Sequence, residues 1–342
     1  MRAALLAEDG AVRVDEVPDV VPNADWAVVR TAAAGVCGTE LHFLDGILKP
    51  DAYPFIMGHE SAGVVEAAPP SAAVQPGDRV AIYNMLGCGR CPFCRTSREE
   101  LCDDPRGQIG FTVDGAFAEL VAVPVESLIP IADNVSFETA AVLACSGMTA
   151  VHAVRLAQVG LGETAVINGV GGVGLMVLQV AHLAGASTIA VGDSEAKLQL
   201  AKQAGASHTI LLEDDSDYDQ LPERVRDVTE GLGADTYFEL VGSERTMASG
   251  IRSLAKTGRF VSIGYTDEEL RISPVELILG ERQIVSSVAA AKRDLETALA
   301  LATAGRLHAT IDTRYPLDEI GTALTRLRNR EVQGRNVIVF DV

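Results

Sequence analysis

The chain has 342 residues and carries 28 basic against 47 acidic side chains, a formal charge of −19. Apolar residues make up 48% and charged residues 22%, the balance of a folded chain, and the length suggests two domains that each bury a core. So acidic a surface excludes nucleic acid and anionic membranes as partners, because both need clustered Lys and Arg. It is compatible with a small anionic cofactor, which backbone amides and one or two local cations suffice to hold.

In chain order, the N-terminus meets Glu8 and Asp9 too early for a secretory segment. No apolar run approaches the roughly 20 residues that span a bilayer. The expected location is therefore the cytoplasm, where cysteines stay reduced. The first part of the chain holds short β-rich runs, Trp26–Arg30 and Arg79–Tyr83 among them, broken by turn signals such as Gln75-Pro76-Gly77-Asp78. This pattern predicts a compact, largely antiparallel β domain.

Within it, Cys88-x-x-Cys91-x-x-Cys94-x7-Cys102 is the most specific signal. Four thiolates in one short loop can surround a single Zn²⁺ tetrahedrally and leave no open position, which predicts a structural site. Gly87, Gly89 and Pro92 supply the turns that such a loop needs. The other two cysteines are Cys37, in Gly35-Val36-Cys37-Gly38-Thr39-Glu40-Leu41-His42, and Cys145, in Leu143-Ala144-Cys145-Ser146-Gly147. His59 and Glu60 follow Gly58 between them. Two thiolates and one imidazole would leave a fourth zinc position open for water or substrate. Spacing alone does not assemble these three, and a lone buried cysteine is commonly just a small apolar residue.

From about Met148 the texture changes to alternating strands and helices. Strands are predicted at 165–168, 188–191, 235–240 and 259–263, with helices over 172–184 and 194–204. This alternation implies a doubly wound parallel sheet. Directly after the first of these strands, Gly169-Val170-Gly171-Gly172-Val173-Gly174 matches G-x-G-x-x-G. Gly169, Gly171 and Gly174 permit a tight turn, close approach to a pyrophosphate and close helix packing. Gly172 and Val173 open the helix whose N-terminus faces the phosphates. Asp193 lies 19 residues beyond Gly174, where an acid grips the ribose hydroxyls, although counting back from the next helix puts Gly192 there instead. Lys197 is the nearest cation and no Arg adjoins, so NAD(H) is favoured over NADP(H). Near residue 290 the pattern changes again, ending in a strand at 336–340. A last segment that rejoins the first domain makes the α/β part an insertion: 1–148 with 289–342, and 149–288.

Taken in order, Cys37–Glu40, Gly58–Glu60, the four-cysteine loop, the glycine loop and the closing Gly334-Arg335-Asn336-Val337 resemble the zinc-containing medium-chain dehydrogenase/reductase family, its alcohol and polyol dehydrogenases in particular. The resemblance covers essentially the whole chain. It implies a Rossmann domain inserted in a mainly β, GroES-like catalytic domain, two zinc ions per chain, and a homodimer or homotetramer. It also implies that Cys37, His59 and Cys145 hold the catalytic zinc, with Glu60 close by. Thr39 matches the hydroxyl that takes the substrate proton, and His42 the histidine that passes it on. Arg335 resembles a cofactor-phosphate ligand. The implied substrate is a small alcohol or polyol, or the matching aldehyde or ketone. A zinc-free quinone or enoyl reductase and a non-catalytic dinucleotide-binding module are the rivals; the cysteines speak against both. Pocket lining is not legible, and Phe43, Met85 and Met148 can equally be core.

Overall fold

A computed structural model describes all residues from Met1 to Val342. The chain divides into two compact units, Met1–Met148 with Ala290–Val342, and Thr149–Ala289.

The first unit is built on one long strand, Trp26–Val36, whose run of small and β-branched residues suits a strand covered on both faces. It pairs antiparallel with Glu60–Ala67, Leu120–Pro124 and Arg335–Val339. The sheet runs on through Arg79–Ile82 to Leu128–Pro130 on one side and through Ile311–Tyr315 on the other. Only the last pairing, between Ile311–Tyr315 and Arg335–Val339, is parallel. The predicted antiparallel domain is thus present, and Trp26–Arg30 is the start of a strand of 11 residues. A core of Val29, Val36, Phe43, Val65, Ile82, Phe117 and Ile338 fills it, so Phe43 is a core residue.

The second unit is a six-stranded, wholly parallel sheet. Its strands are His208–Leu211, Ser187–Gly192, Thr164–Asn168, Ala234–Glu239, Leu254–Ser262 and Gln283–Ser286, in that spatial order. The predicted strands and helices all appear, with ends shifted by a few residues. The helix Gly172–Leu183 ends just ahead of Gly185, whose φ of +98° favours glycine. The helix Glu195–Gln203 starts where the Ser194 hydroxyl accepts the Lys197 N–H at 3.3 Å.

Among the elements that the sequence reading did not name is one long apolar helical stretch. The helical stretch Phe137–Leu156 is long and apolar enough, by length and composition, to cross a membrane, yet 72% of its apolar window is buried within the protein. Its apolarity is that of a core helix, and Met148 on it is buried.

Gly63 lies in the strand Glu60–Ala67, opposite Thr31 of Trp26–Val36. A Cβ there would lie 2.1 Å from the Arg30 carbonyl oxygen, which belongs to the neighbouring backbone and has little room to yield. Gly63→Ala should lower stability by about 1–3 kcal/mol, the range for overpacking a tight core. Thermal unfolding of the two proteins side by side checks this; an unchanged midpoint would show that the strands part without cost.

Candidate active site

Three neighbouring strands of the first unit bring their ends together. Cys37 follows the end of Trp26–Val36, Glu60 opens Glu60–Ala67, and Arg335 opens Arg335–Val339. Gly35 stands opposite Glu60 in the register, and a Cβ on it would fall 2.0 Å from Glu60 Oε2. The missing side chain is what makes room for the carboxylate. Gly58, at φ +101°, turns the chain so that His59 enters beside it; a Cβ there would meet the Phe117 N–H nitrogen at 2.7 Å. Cys145 arrives from elsewhere, on a π-helical turn, Leu143–Gly147, of the kind frequent at functional sites.

The Cys37 and Cys145 sulfurs, a His59 ring nitrogen and a Glu60 oxygen all lie within 4.8 Å of one another. The sequence alone could not assemble this group. His59 and Glu60 are buried, and Cys37 nearly so. His59 Nδ1 donates to Glu40 Oε1 at 2.8 Å, which leaves Nε2 for the cluster. Glu40 was read only as part of a motif. It is fully buried, and its other oxygen accepts the Cys37 N–H at 2.8 Å, so one carboxylate orients two members of the cluster. Its position three residues after Cys37, inside the first turn of the helix Gly38–Leu44, was the signal available.

Arg335, which the resemblance sets at a cofactor phosphate, lies beside the cluster. Its guanidinium is buried and donates to Glu60 Oε1 at 2.7 Å, with the Cys37 sulfur 3.5 Å away. Thr39 Oγ1 lies 3.7 Å from the Cys37 sulfur. His42 lies three residues further along the same short helix, so the two share a face.

These contacts set the ionisation. Cys37 is held well below the usual thiol range by its hydrogen bond with Cys145, against burial and with help from Arg335. Cys145, the other half of that bond, is pushed well above it by Cys37 and by burial. Burial alone would depress His59, but the Glu40 carboxylate and Cys37 raise it well above the ordinary imidazole. Burial pushes Glu60 up to about 8, opposed by Arg335. Glu60 Oε2 is buried with no hydrogen-bond partner. A soft, anionic donor set with an unanswered carboxylate oxygen fits a cation such as Zn²⁺.

The four-cysteine loop forms a second cluster, its sulfurs again within 4.8 Å of one another. Cys88 and Cys94 sulfurs are 4.0 Å apart, and those of Cys91 and Cys102 3.9 Å. Bonds of about 2.3 Å to a tetrahedral zinc require sulfurs about 3.8 Å apart, so the spacing fits. The N–H groups of Cys88, Cys91 and Cys94 each point at a cluster sulfur, at 3.2, 3.3 and 3.4 Å. The Cys94 N–H leads the effects that lower Cys91 to about 6, while burial pushes Cys94 up to about 12.

In the second unit Gly169 has φ +97°, and Gly171 caps the helix Gly172–Leu183. A Cβ on Gly174 would lie 2.0 Å from the Gly169 carbonyl oxygen, so helix and turn pack as the G-x-G-x-x-G reading requires. The adjacent strand ends at Gly192, with Asp193 one step beyond. Lys197 Nζ is held 3.0 Å from the Asp193 carboxylate as an i,i+4 pair, so its charge is already answered by that acid.

Two family profiles match the chain: "Alcohol dehydrogenase GroES-like domain" over residues 23–133 and "Zinc-binding dehydrogenase" over 172–304. A relative from Sulfurisphaera tokodaii named NAD-dependent alcohol dehydrogenase is 34% identical, with 99% of this chain and 100% of the relative covered. The chain belongs to the zinc-containing medium-chain alcohol dehydrogenase family. The fold of this dehydrogenase is shared with an alcohol dehydrogenase from Aeropyrum pernix, at TM-score 0.91 and 30% identity over 99% of this chain and 100% of that one. It is shared too with a cobalt- and zinc-bound thermostable alcohol dehydrogenase from Pyrobaculum aerophilum, at TM-score 0.89 and 28% identity over 99% of each chain.

Because Glu40 orients both His59 and Cys37 in this dehydrogenase, Glu40→Gln should weaken zinc at that cluster about 10–100-fold, as loss of a partner behind a metal ligand does. Competition with a colorimetric chelator reads the affinity. Equal zinc retention by the variant and the parent would show that Glu40 orients nothing that matters to the metal.

Proposed function

We propose that this chain is a zinc-dependent alcohol dehydrogenase that oxidises a small alcohol or polyol with NAD⁺ and, in reverse, reduces the aldehyde or ketone. The observation that carries this is the meeting of Cys37, His59 and Cys145, with Glu60, at one buried point. Two thiolates and an imidazole leave a fourth tetrahedral place free for substrate. When bound there, zinc supplies Lewis acidity to the substrate oxygen, and the dinucleotide accepts or returns the hydride.

The chain's own residues then have distinct tasks. Glu40 fixes the His59 tautomer, and Arg335 holds Glu60 by an ion pair of 2.7 Å. Thr39 takes the substrate proton, and His42, on the same face of Gly38–Leu44, passes it on. Cys88, Cys91, Cys94 and Cys102 hold a second zinc that braces their loop. Gly169, Gly171, Gly172, Val173 and Gly174 receive the pyrophosphate of the cofactor. Asp193 favours NAD(H): its carboxylate would repel a 2′-phosphate, and Lys197, the nearest cation in sequence, is already paired with it. The convergence of both cysteine groups speaks against a zinc-free reductase. The name of the Sulfurisphaera relative and the metals of the Pyrobaculum structure support the same assignment.

A cytoplasmic location suits thiolates that must stay reduced. A homodimer or homotetramer is supported by the strand Gln283–Ser286, which lies at the edge of the parallel sheet with Ile284 42% exposed. Exposed Ile278 and Leu279 precede it in sequence. An unpaired edge of this kind can pair with a second copy.

Metal analysis should find two zinc ions per chain. Cys37→Ser should remove one of them and lower kcat/KM by about a thousandfold or more, since a Lewis acid contributes several kcal/mol. Cys88→Ser should remove the other and act mainly on thermal stability. Reduced cofactor appearing when a panel of alcohols is offered with NAD⁺ tests the reaction; no turnover by protein holding both zinc ions would overturn it. With NADP⁺ in place of NAD⁺ the rate should fall, and Asp193→Ala should narrow the preference for NAD⁺ by about tenfold, by removing like-charge repulsion.

A further inference from the structure

At the C-terminal end of the parallel sheet, an amide and a carboxyl side chain are buried beside largely apolar neighbours such as Val166, Ile167 and Phe238. Asn168 ends the strand Thr164–Asn168, and Glu239 ends its neighbour Ala234–Glu239. They face each other in register, and both are fully buried. Asn168 Nδ2 donates to Glu239 Oε2 at 2.9 Å. Glu239 Oε1 accepts the N–H groups of Val241 and Gly242, each at 2.8 Å, and the Thr246 hydroxyl at 3.0 Å. The Tyr218 hydroxyl donates to Asn168 Oδ1 at 3.0 Å, and Ser249 Oγ donates to the Tyr218 carbonyl at 2.7 Å. Burial pushes the Glu239 carboxyl above its ordinary range, against Gly242, Asn168, Val241 and Thr246, which all donate to it.

A pair of apolar side chains would serve a sheet core at least as well, because desolvating a carboxylate offsets much of what its hydrogen bonds contribute. What apolar contact cannot do is fix the direction of backbone amides. The chain leaves Asn168 into the glycine turn and leaves Glu239 into the loop 240–243. Those segments touch: the Leu240 N–H donates to the Asn168 carbonyl at 3.1 Å. A Cβ on Gly169 would lie 3.2 Å from Val241 Cγ2. Thr164–Asn168 and Ala234–Glu239 are also the strands between which the order of the sheet reverses. In doubly wound sheets, ligands bind outside the strand ends at that switch point.

We propose that Asn168 and Glu239 are positioning residues for the dinucleotide. Their buried hydrogen bond, extended to Val241, Gly242, Thr246 and Tyr218, sets the glycine turn against the loop 240–243 on which the cofactor rests. The inference depends on the dinucleotide reading given above, and it adds residues outside the glycine motif to that site.

The test is a fluorescence titration of the zinc-loaded enzyme with NADH and NADPH. Asn168→Asp sets a second carboxylate against Glu239 and should weaken NADH about tenfold, the scale of coupling between residues in one hydrogen-bond network. The double variant Asn168→Asp, Glu239→Gln restores an amide–carboxylate pair in reversed order, with the Gln oxygen still facing the two loop amides. It should recover most of the lost affinity, a rescue that a merely space-filling role would not give. An Asn168→Asp variant that binds NADH as tightly as the parent, or a double variant no tighter than the single one, overturns the proposal. Should Asn168→Asp fail to fold, Tyr218→Phe carries the test. It removes only the hydroxyl that donates to Asn168 Oδ1, and about threefold weaker NADH supports the proposal while unchanged binding overturns it. A parent enzyme that binds neither NADH nor NADPH overturns the dinucleotide reading and this inference together. Binding by the parent with unresponsive variants overturns this inference alone.

Discussion

Most of the first unit is arranged around a single electrostatic constraint: several ionisable groups are buried at one point and must neutralise one another there. Isolated buried charges are expensive, so each needs a partner close by. Glu40 answers His59 and the Cys37 amide, while Arg335 answers Glu60 and lies near Cys37. The account does not close with these pairs. Cys37 is shifted toward the thiolate by Cys145 and Arg335, Cys145 is shifted away from it by Cys37 and burial, and Glu60 Oε2 has no hydrogen-bond partner. A divalent cation bound by two thiolates and an imidazole is the species that would balance the set. The strand order serves the same constraint, since it places the ends of three neighbouring strands where these side chains meet.

The two cysteine clusters solve the same coordination problem by different routes. Residues 88–102 gather within a single loop, whose own N–H groups turn toward the sulfurs, so the ligands are brought together by local chain geometry. The other cluster draws on a strand end, a strand start and a helical turn far apart in sequence, and it exists only if the whole β domain is formed. A site made from one loop can be closed and inert. A site made from separate walls can keep one side open to a substrate.

The second unit shows a related division of labour. Its glycine turn is shaped by sterics: positive φ at Gly169 and no space for a Cβ at Gly174. Its surroundings are shaped by hydrogen bonds that run from buried Asn168 and Glu239 to the next loop. Glycines allow the backbone to approach a ligand, while backbone hydrogen bonds from Gly169 and Leu240 and these polar ties fix the turn and the loop beside it.

Much of this was legible in the residues themselves. Apolar periodicity marked the strands and helices of the parallel sheet, and its changes near 148 and 290 fall where the compact units divide. The four-cysteine loop and the G-x-G-x-x-G turn were readable because their chemistry is local: spacing in sequence nearly equals spacing in space. The helical stretch Phe137–Leu156 was missed because a mostly buried helix lacks the regular polar face that marks a surface one. The grouping of Cys37, His59, Glu60 and Cys145, the role of Glu40, the turn of Arg335 toward Glu60, and the pairing of Asn168 with Glu239 were decided only by the tertiary structure. Most of these depend on which strands and helices meet in space, which links residues whose distance along the chain carries no information about their distance in the fold.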